Sequence, residues 1–368
     1  MSPRPRLRTT GRSSWGGRPA PRRSLRRIAV AAVAITVGLG ASAGTASARA
    51  RHQSNEADTV HLGYFPNITH ATAIVGVEEG IFQKKLGDVK LETANFNAGP
   101  EATEALLSGA IDATYIGPNP SITAFTQSDG GIKIISGATS GGAYLVVKPD
   151  IKKPKDLEGK IIASPQLGNT QDVALRVWLK DHGFKTDETG GGDVSIRPQD
   201  NATTLQAFTS GDIDGAWVPE PWATRLVDEA GGKVLVDEKT LWPKGQYVTT
   251  QLIVRRDFLK DNPGVVKKLL EGQVAANAFI AKNRKKAEAD VAKGILDITG
   301  KEIKPELVTA SFDHLTFTND PIASSLLKSA KNAESVGLLD AVNLNGIYDL
   351  KPLNKVLKNS GRTPVSGK

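Results

Sequence analysis

The chain has 368 residues, of which 39% are hydrophobic and 23% charged, with a formal net charge of +8 and no cysteine. That length supports two or three domains with a sizeable core. The lack of cysteine excludes disulfides, thiolate metal sites, a cysteine nucleophile and a lipid-anchored N-terminal cysteine, while the charge suggests nucleic acid only until it is located.

Residues 1–50 hold ten arginines and no acidic residue; the rest of the chain carries 37 basic against 39 acidic side chains. No basic stripe is left to neutralise phosphates, so no nucleic-acid partner is expected. Within this leader, arginines up to Arg27 precede an apolar run at 28–39 and a small-residue stretch at 41–50 with Ala-x-Ala steps. That order predicts a signal peptide over 1–50. A membrane anchor is the alternative, but the run is short for the ~20 residues of a span. The Arg22-Arg23 pair leaves general secretory and twin-arginine export both open. The expected location is the periplasm or the outer face of the cell membrane.

In chain order, residues 59–65 read as a strand, and 69–80 as a helix with Thr69 as N-cap and Gly80 as stop. A strand at 89–95 leads through Gly99-Pro100 into a helix at 101–107, with proline at a helix's first position. A strand at 111–116 runs through Gly117-Pro118-Asn119-Pro120 into another helix. The plan then recurs: strand 160–164, loop 165–169, helix 170–182, strand 194–198, helix 202–209, and strand 213–218 running into Pro219-Glu220-Pro221-Trp222. Such alternation predicts mainly parallel α/β sheets.

The two passes superpose. Ser108-Gly109-Ala110-Ile111-Asp112 matches Ser210-Gly211-Asp212-Ile213-Asp214 at an offset of 102. Four identities at one offset within one element order indicate two homologous βαβαβ lobes. Residues 137–147 and 246–254 are β-rich and suit two crossings between the lobes, a two-strand hinge. The remainder is mostly helical, over 264–283, 285–299, 306–312, 323–336 and 351–358. The expected division is lobe 1 at 58–145, lobe 2 at 146–247, the C-terminal part of lobe 1 at 248–358, and a loose tail at 359–368.

In open α/β sheets ligands sit beyond the carboxyl ends of strands, where loops feed helix N-termini. Five loops qualify: 66–70, 98–101, 117–120, 165–170 and 218–222. Their polar side chains include Asn67, Thr69, His70, Asn119, Gln166, Asn169 and Thr170, and none of the loops contains lysine or arginine. A free amino acid calls for a bidentate arginine on its carboxylate, so amino acids are disfavoured. An anion remains possible through backbone N–H groups and helix dipoles. Asn67, Thr69, Asn169 and Thr170 equally suit helix capping. His70 suits a structural donor, and Pro118 and Pro221 suit punctuation. Glu220, the acid in otherwise neutral surroundings, suits either bracing of loops or a ligand's amine or hydroxyl. Trp222 suits packing or an apolar wall, whereas Trp217 reads as core. No Gly-x-Ser-x-Gly elbow, Walker loop or His-Glu-x-x-His occurs, and the five histidines lack metal-ligand spacing. No enzyme activity, cofactor or metal is expected.

The stretches Leu62-Gly63-Tyr64-Phe65-Pro66-Asn67-Ile68-Thr69-His70-Ala71, Glu79-Gly80-Ile81-Phe82, Leu107-Ser108-Gly109-Ala110-Ile111-Asp112, Gly117-Pro118-Asn119-Pro120, Lys155-Asp156-Leu157-Glu158-Gly159-Lys160 and Glu220-Pro221-Trp222 resemble the nitrate/sulfonate/taurine-binding branch of ABC-importer solute-binding proteins, close to the aliphatic sulfonate-binding proteins. The resemblance covers about residues 58–360. It implies the α/β, two-lobed type II periplasmic-binding fold, closure around a small solute, and docking to an ABC permease as a monomer. It places ligand contacts at Asn67, Thr69, His70, Pro118, Asn119, Gln166, Asn169, Thr170, Glu220 and Trp222. A sulfonate-like anion is the leading solute; taurine, nitrate, bicarbonate and a thiamine-precursor pyrimidine are the alternatives. A secreted sensor module is the remaining class. A pyrimidine-synthase-like relative of this fold depends on a cysteine-rich motif that this chain lacks.

Overall fold

A computed structural model describes residues 56–368; the signal-peptide reading of 1–50 lies outside the described residues. Eleven strands are found there: β1 Thr59–Tyr64, β2 Lys90–Asn95, β3 Ala113–Ile116, β4 Ile132–Gly141, β5 Ala143–Val147, β6 Ile161–Ser164, β7 Ser195–Pro198, β8 Gly215–Pro219, β9 Lys233–Asp237, β10 Val248–Arg255 and β11 Leu315–Phe317. They form two sheets, ordered β11-β4-β10-β3-β1-β2 and β7-β6-β8-β5-β9. In each sheet three parallel strands (β2-β1-β3, β7-β6-β8) are followed by one antiparallel strand (β10 or β5) contributed from across the molecule. This is the expected pair of lobes in one two-lobed α/β fold. Among the described residues, no helix is long and apolar enough to cross a membrane.

The repeat read from sequence has a structural cause. In lobe 1, Asp112 accepts the His61 backbone N–H at 2.9 Å and donates its own N–H to the His61 carbonyl at 2.9 Å. In lobe 2, Asp214 does the same with Ile161, at 2.9 and 2.8 Å. Each aspartate thus ties the start of a third strand to its first. The helices before them end at Ser108 and Gly211, and Gly109 and Gly211 both take a positive φ.

Each sheet is covered on both faces. Leu62, Tyr115, Leu252 and Val254 bury against the long helix Pro263–Lys282 and its neighbours, while Ile116, Ile134 and Ile253 bury against helices on the opposite face. In lobe 2, Leu145, Ile162 and Trp217 form one core with Trp178, and Tyr144, Ala163 and Val218 form another with Phe208. Trp217 is core, as its alternation suggests.

The chain changes sheets twice. β4 runs into β5 through Gly141 and Gly142, at φ 86° and 75°. A side chain at Gly142 would meet Leu315 at 2.2 Å and one at Gly141 the His314 carbonyl at 2.8 Å, so both positions need glycine. The return passage is 238–247, built of short 3-10 turns; the β-rich run expected to make that crossing is instead β10, a central strand of the first sheet. Within the C-terminal stretch 359–368, which is otherwise exposed, one residue is tied down. Asn354 donates to the Val365 carbonyl at 2.9 Å and accepts its N–H at 2.8 Å. β9 and β11 were not foreseen: one is half-buried and the other three residues long.

Asp112→Ala is expected to cost about 1–3 kcal/mol by leaving the His61 N–H without its partner, and Asp214→Ala to cost a similar amount. Urea unfolding at constant m-value checks both.

Candidate functional site

The parallel strands of both sheets end at the cleft, and the loops leaving them open helices. Between these openings lies a cavity of about 20 Å³. The first residues of five helices border it: His70 before Ala71–Glu78, Ala98 before Gly99–Leu107, Gly117 before Pro118–Gln127, Asn169 before Thr170–Asp181, and Asn201 opening Asn201–Ser210. The start of a helix carries partial positive charge on N–H groups that lack an intrahelical acceptor. Among the described residues, no Lys, Arg, Asp or Glu side chain lines the cavity. Its wall therefore presents backbone dipoles and neutral side chains, which suit an anion; the buried carboxylates nearest it are paired, Asp172 with Arg176 at 3.0 Å and Glu220 with His314 at 2.6 Å.

Five of the residues singled out from sequence meet there: Asn67, Thr69, His70, Asn169 and Thr170. His70 is buried and stacks on Phe65 with ring centroids 4.3 Å apart. Burial drives its pKa down to about 3, so it is neutral at physiological pH. Its Nδ1 accepts the Phe65 N–H at 3.3 Å, which puts the ring proton on Nε2 and makes that nitrogen a neutral donor. Asn169 caps its own helix through the Thr170 N–H at 2.9 Å. Thr69 does not cap; it lies inside a 3-10 turn, Ile68–His70, and its carbonyl accepts from the Thr139 hydroxyl at 2.7 Å. Two cavity atoms, Thr170 Oγ1 and Asn201 Oδ1, are buried without a hydrogen-bond partner. Buried polar atoms are nearly always paired; the Thr170 hydroxyl is free to donate to a guest, whereas Asn201 Oδ1 as placed can only accept. Gly117 faces Thr170 across the cleft, and a Cβ there would lie 2.4 Å from Thr170 Oγ1; glycine permits the lobes to approach.

The other five stand around the cavity. Trp222 Nε1 donates across the cleft to Asn67 Oδ1 at 2.8 Å. Gln166 bridges the lobes at the rim, donating to Glu101 at 2.6 Å and to Asp200 at 3.2 Å. Pro118 is buried at its helix start, and Asn119 points away, donating to the Ser329 carbonyl at 3.2 Å. Glu220 is fully buried behind the cavity floor and its carboxylate is filled by protein. It accepts from Thr224 N–H at 3.1 Å, the Thr224 and Ser311 hydroxyls at 3.0 and 3.2 Å, and His314 at 2.6 Å. That hydrogen bond holds the His314 imidazole above its ordinary pKa. Glu220 N–H also donates to the Gly142 carbonyl at 2.9 Å, so the residue braces the first crossing.

Sequence reasoning missed Asn97, Gln171, Asn201, Thr249 and Thr250, which also line the cavity. The repeat carries a signal for Asn201: an offset of 102 maps the loop at Gly99 onto it. Thr249 and Thr250 lie on β10, whose place in the first sheet is set by long-range pairing.

The NMT1-like family model matches residues 53–296, more than half of the chain. A taurine-binding periplasmic protein of Escherichia coli K12 is 31% identical over 205 residues, 55% of this chain and 61% of that protein, so the match spans less than two thirds of the relative. The periplasmic aliphatic sulphonate-binding protein of Escherichia coli superposes with a TM-score of 0.61 at 22% identity, over 77% of this chain and 94% of that one. The periplasmic nitrate-binding protein of Synechocystis PCC 6803 does so with a TM-score of 0.70 at 17% identity, over 83% and 89%. These two similarities establish the fold.

Two outcomes follow from the geometry. Gly117→Ala would put a Cβ 2.4 Å from Thr170 Oγ1 and force that hydroxyl to turn, so thermal unfolding should show a modest loss of stability, restored by adding Thr170→Ala. His70 binds a proton below 6.5 only when unfolded, until its folded value near 3 is reached. Stability should therefore fall as pH drops below 6.5, by up to about 1.4 kcal/mol per pH unit from this group. His70→Gln should flatten that limb in denaturation curves compared across pH.

Proposed function

This chain belongs to the NMT1-like family, and on that footing we propose that it is the exported solute-binding protein of an ABC importer, capturing a small oxoanion between its lobes and delivering it to the permease. A sulfonate is the preferred solute. The observation that carries the reading is the cavity at five helix starts with no ionised side chain on its wall. A sulfonate presents three acceptor oxygens and needs no counter-charge when N–H dipoles surround it. Asn67, His70, Asn169, Thr170 and Asn201 are the proposed side-chain contacts, with Thr69 contributing from its backbone. The arginine-rich leader and the similarity to a periplasmic taurine-binding protein support export.

Closure has a plain physical basis in this reading. The cavity takes walls from both lobes, so the anion makes its full set of contacts only when they meet, and binding shifts the equilibrium toward the closed form. The bonds Trp222–Asn67 and Gln166–Glu101 add to closure without touching the solute. A second reading is nitrate or bicarbonate, which the same neutral wall of helix starts suits as well as it suits a sulfonate.

Isothermal calorimetry with methanesulfonate, taurine, nitrate, bicarbonate and a thiamine pyrimidine tests this. One-to-one binding of a sulfonate is expected, weakened about tenfold by Thr170→Val, the size of one hydrogen bond to a charged group. Heat from nitrate or bicarbonate alone would establish the second reading, and silence from every anion would overturn both.

A further inference from the structure

We propose that Glu238 is a proton-operated latch between the lobes: ionised, it holds the return crossing 238–247 against lobe 2 and keeps the lobes together, and on taking up a proton it releases the crossing so that they part more readily. Glu238 is the first residue after β9, where the chain leaves lobe 2, and it is 1% exposed. Its Oε2 accepts the Trp217 Nε1–H from the core of lobe 2 at 2.7 Å, and its Oε1 accepts the Trp242 Nε1–H from the middle of the crossing at 3.3 Å. Trp242 is in turn held to lobe 1. Lys328, on a helix (Ala323–Ser335) that packs into the lobe 1 core through Leu326, lies 4.7 Å from the centre of the Trp242 ring and donates to the Leu241 carbonyl at 2.7 Å. The same helix fixes the start of β10, where the Val248 N–H donates to Ser325 Oγ at 3.0 Å. Through Glu238, the core of one lobe grips a segment fastened to the other.

An indole N–H only donates, so both bonds need oxygens that accept. The carboxylate offers two. Protonation turns one oxygen into a donor and gives up the longer bond, the one to Trp242. Both partners are neutral, and burial raises the Glu238 pKa to about 7; Asp237 adds to the rise, while the two indoles and Lys328 oppose it. Asp237 and Lys239 on its own segment are ion-paired at 3.0 Å. Tyr144 on β5 and Tyr247, stacked on Trp242 with ring centroids 5.3 Å apart, are raised by burial and stay neutral. Beyond Tyr144 lies His314, raised by its bond to Glu220. When the lobes part and Trp242 moves off, the Glu238 carboxylate loses a donor, so its pKa is higher still in the open form. Closure therefore expels a proton. The hold is strongest above both values, weakens as pH falls toward 7, and changes no further below that.

Indole N–H NMR of the isotope-labelled chain, from about pH 6 to about pH 9, tests the latch without any solute. The Trp217 and Trp242 signals should titrate together. Trp222, whose Nε1 bridges the cleft to Asn67 at 2.8 Å, should follow with the same midpoint, at roughly pH 7–8. In Glu238→Gln, which keeps one acceptor and cannot ionise, all three should stay still, with circular dichroism confirming the fold. In Trp242→Phe, which keeps a ring on Tyr247 but has no N–H, Trp217 should still titrate while Trp222 no longer follows. Methanesulfonate should bind roughly tenfold tighter at the alkaline end than at the acid end, the size of one hydrogen bond to a charged group, and equally at both in Glu238→Gln. Failure of methanesulfonate to bind would count against the sulfonate reading, and the indole signals would still decide the latch. Indole signals that do not move, a Trp222 titration that survives Glu238→Gln and so belongs to His314, or one that survives Trp242→Phe would overturn it.

Discussion

A helix start leaves backbone N–H groups without intrahelical acceptors, and in this fold five helices start around one small space, although the Ala71 and Thr170 N–H groups are already taken by Ile68 and Asn169 and the helix at Pro118 opens with two prolines in its first three residues. Everything else about the cleft follows from that constraint. The parallel strands must end together for the helices to begin together, and the loops must be short and neutral. Among the described residues no charged side chain stands on the cavity wall, and the carboxylates behind it, Asp172 and Glu220, are paired with Arg176 and His314, so the wall offers a guest dipoles fixed in the backbone. Each contributes only about 0.3–1 kcal/mol at an exposed site, but together they favour an anion without the desolvation cost of a buried lysine or arginine.

Bringing two sets of helix starts face to face requires two lobes that can meet, and the crossings provide this. Gly141 and Gly142 turn the chain between sheets where a Cβ would strike Leu315 or the His314 carbonyl. Glu220 braces the same point: its N–H bonds Gly142, while its carboxylate gathers donors from its own helix and from Ser311 and His314. A buried acid with four donors is a structural keystone, because removing the carboxylate leaves the buried Thr224 and Ser311 donors without their acceptor. Its place behind the floor explains how a lone acid in a neutral loop can serve an anion site without facing the anion.

Much of this was legible in the sequence. The repeat at Asp112 and Asp214 announced the two lobes because each aspartate performs the same backbone tie. The loops without lysine or arginine led to the cavity and to Asn67, Thr69, His70, Asn169 and Thr170. Local reasoning could not say which way a side chain turns. Asn119 and Glu220 sit in the right loops yet bond to Ser329 and to the Ser311–His314 segment, far along the chain. Thr249 and Thr250 reach the cavity through the pairing of β10 with β3 and β4, a long-range contact that no local pattern encodes.

The central claim is that backbone dipoles of both lobes hold the anion. Amide NMR of the isotope-labelled protein titrated with a sulfonate tests it most directly. Binding should shift the amides of the first turns at Ala71, Gly99, Thr170 and Asn201 together, in both lobes, with the same saturation curve. Shifts confined to one lobe, or centred on lysine and arginine side chains elsewhere, would contradict it.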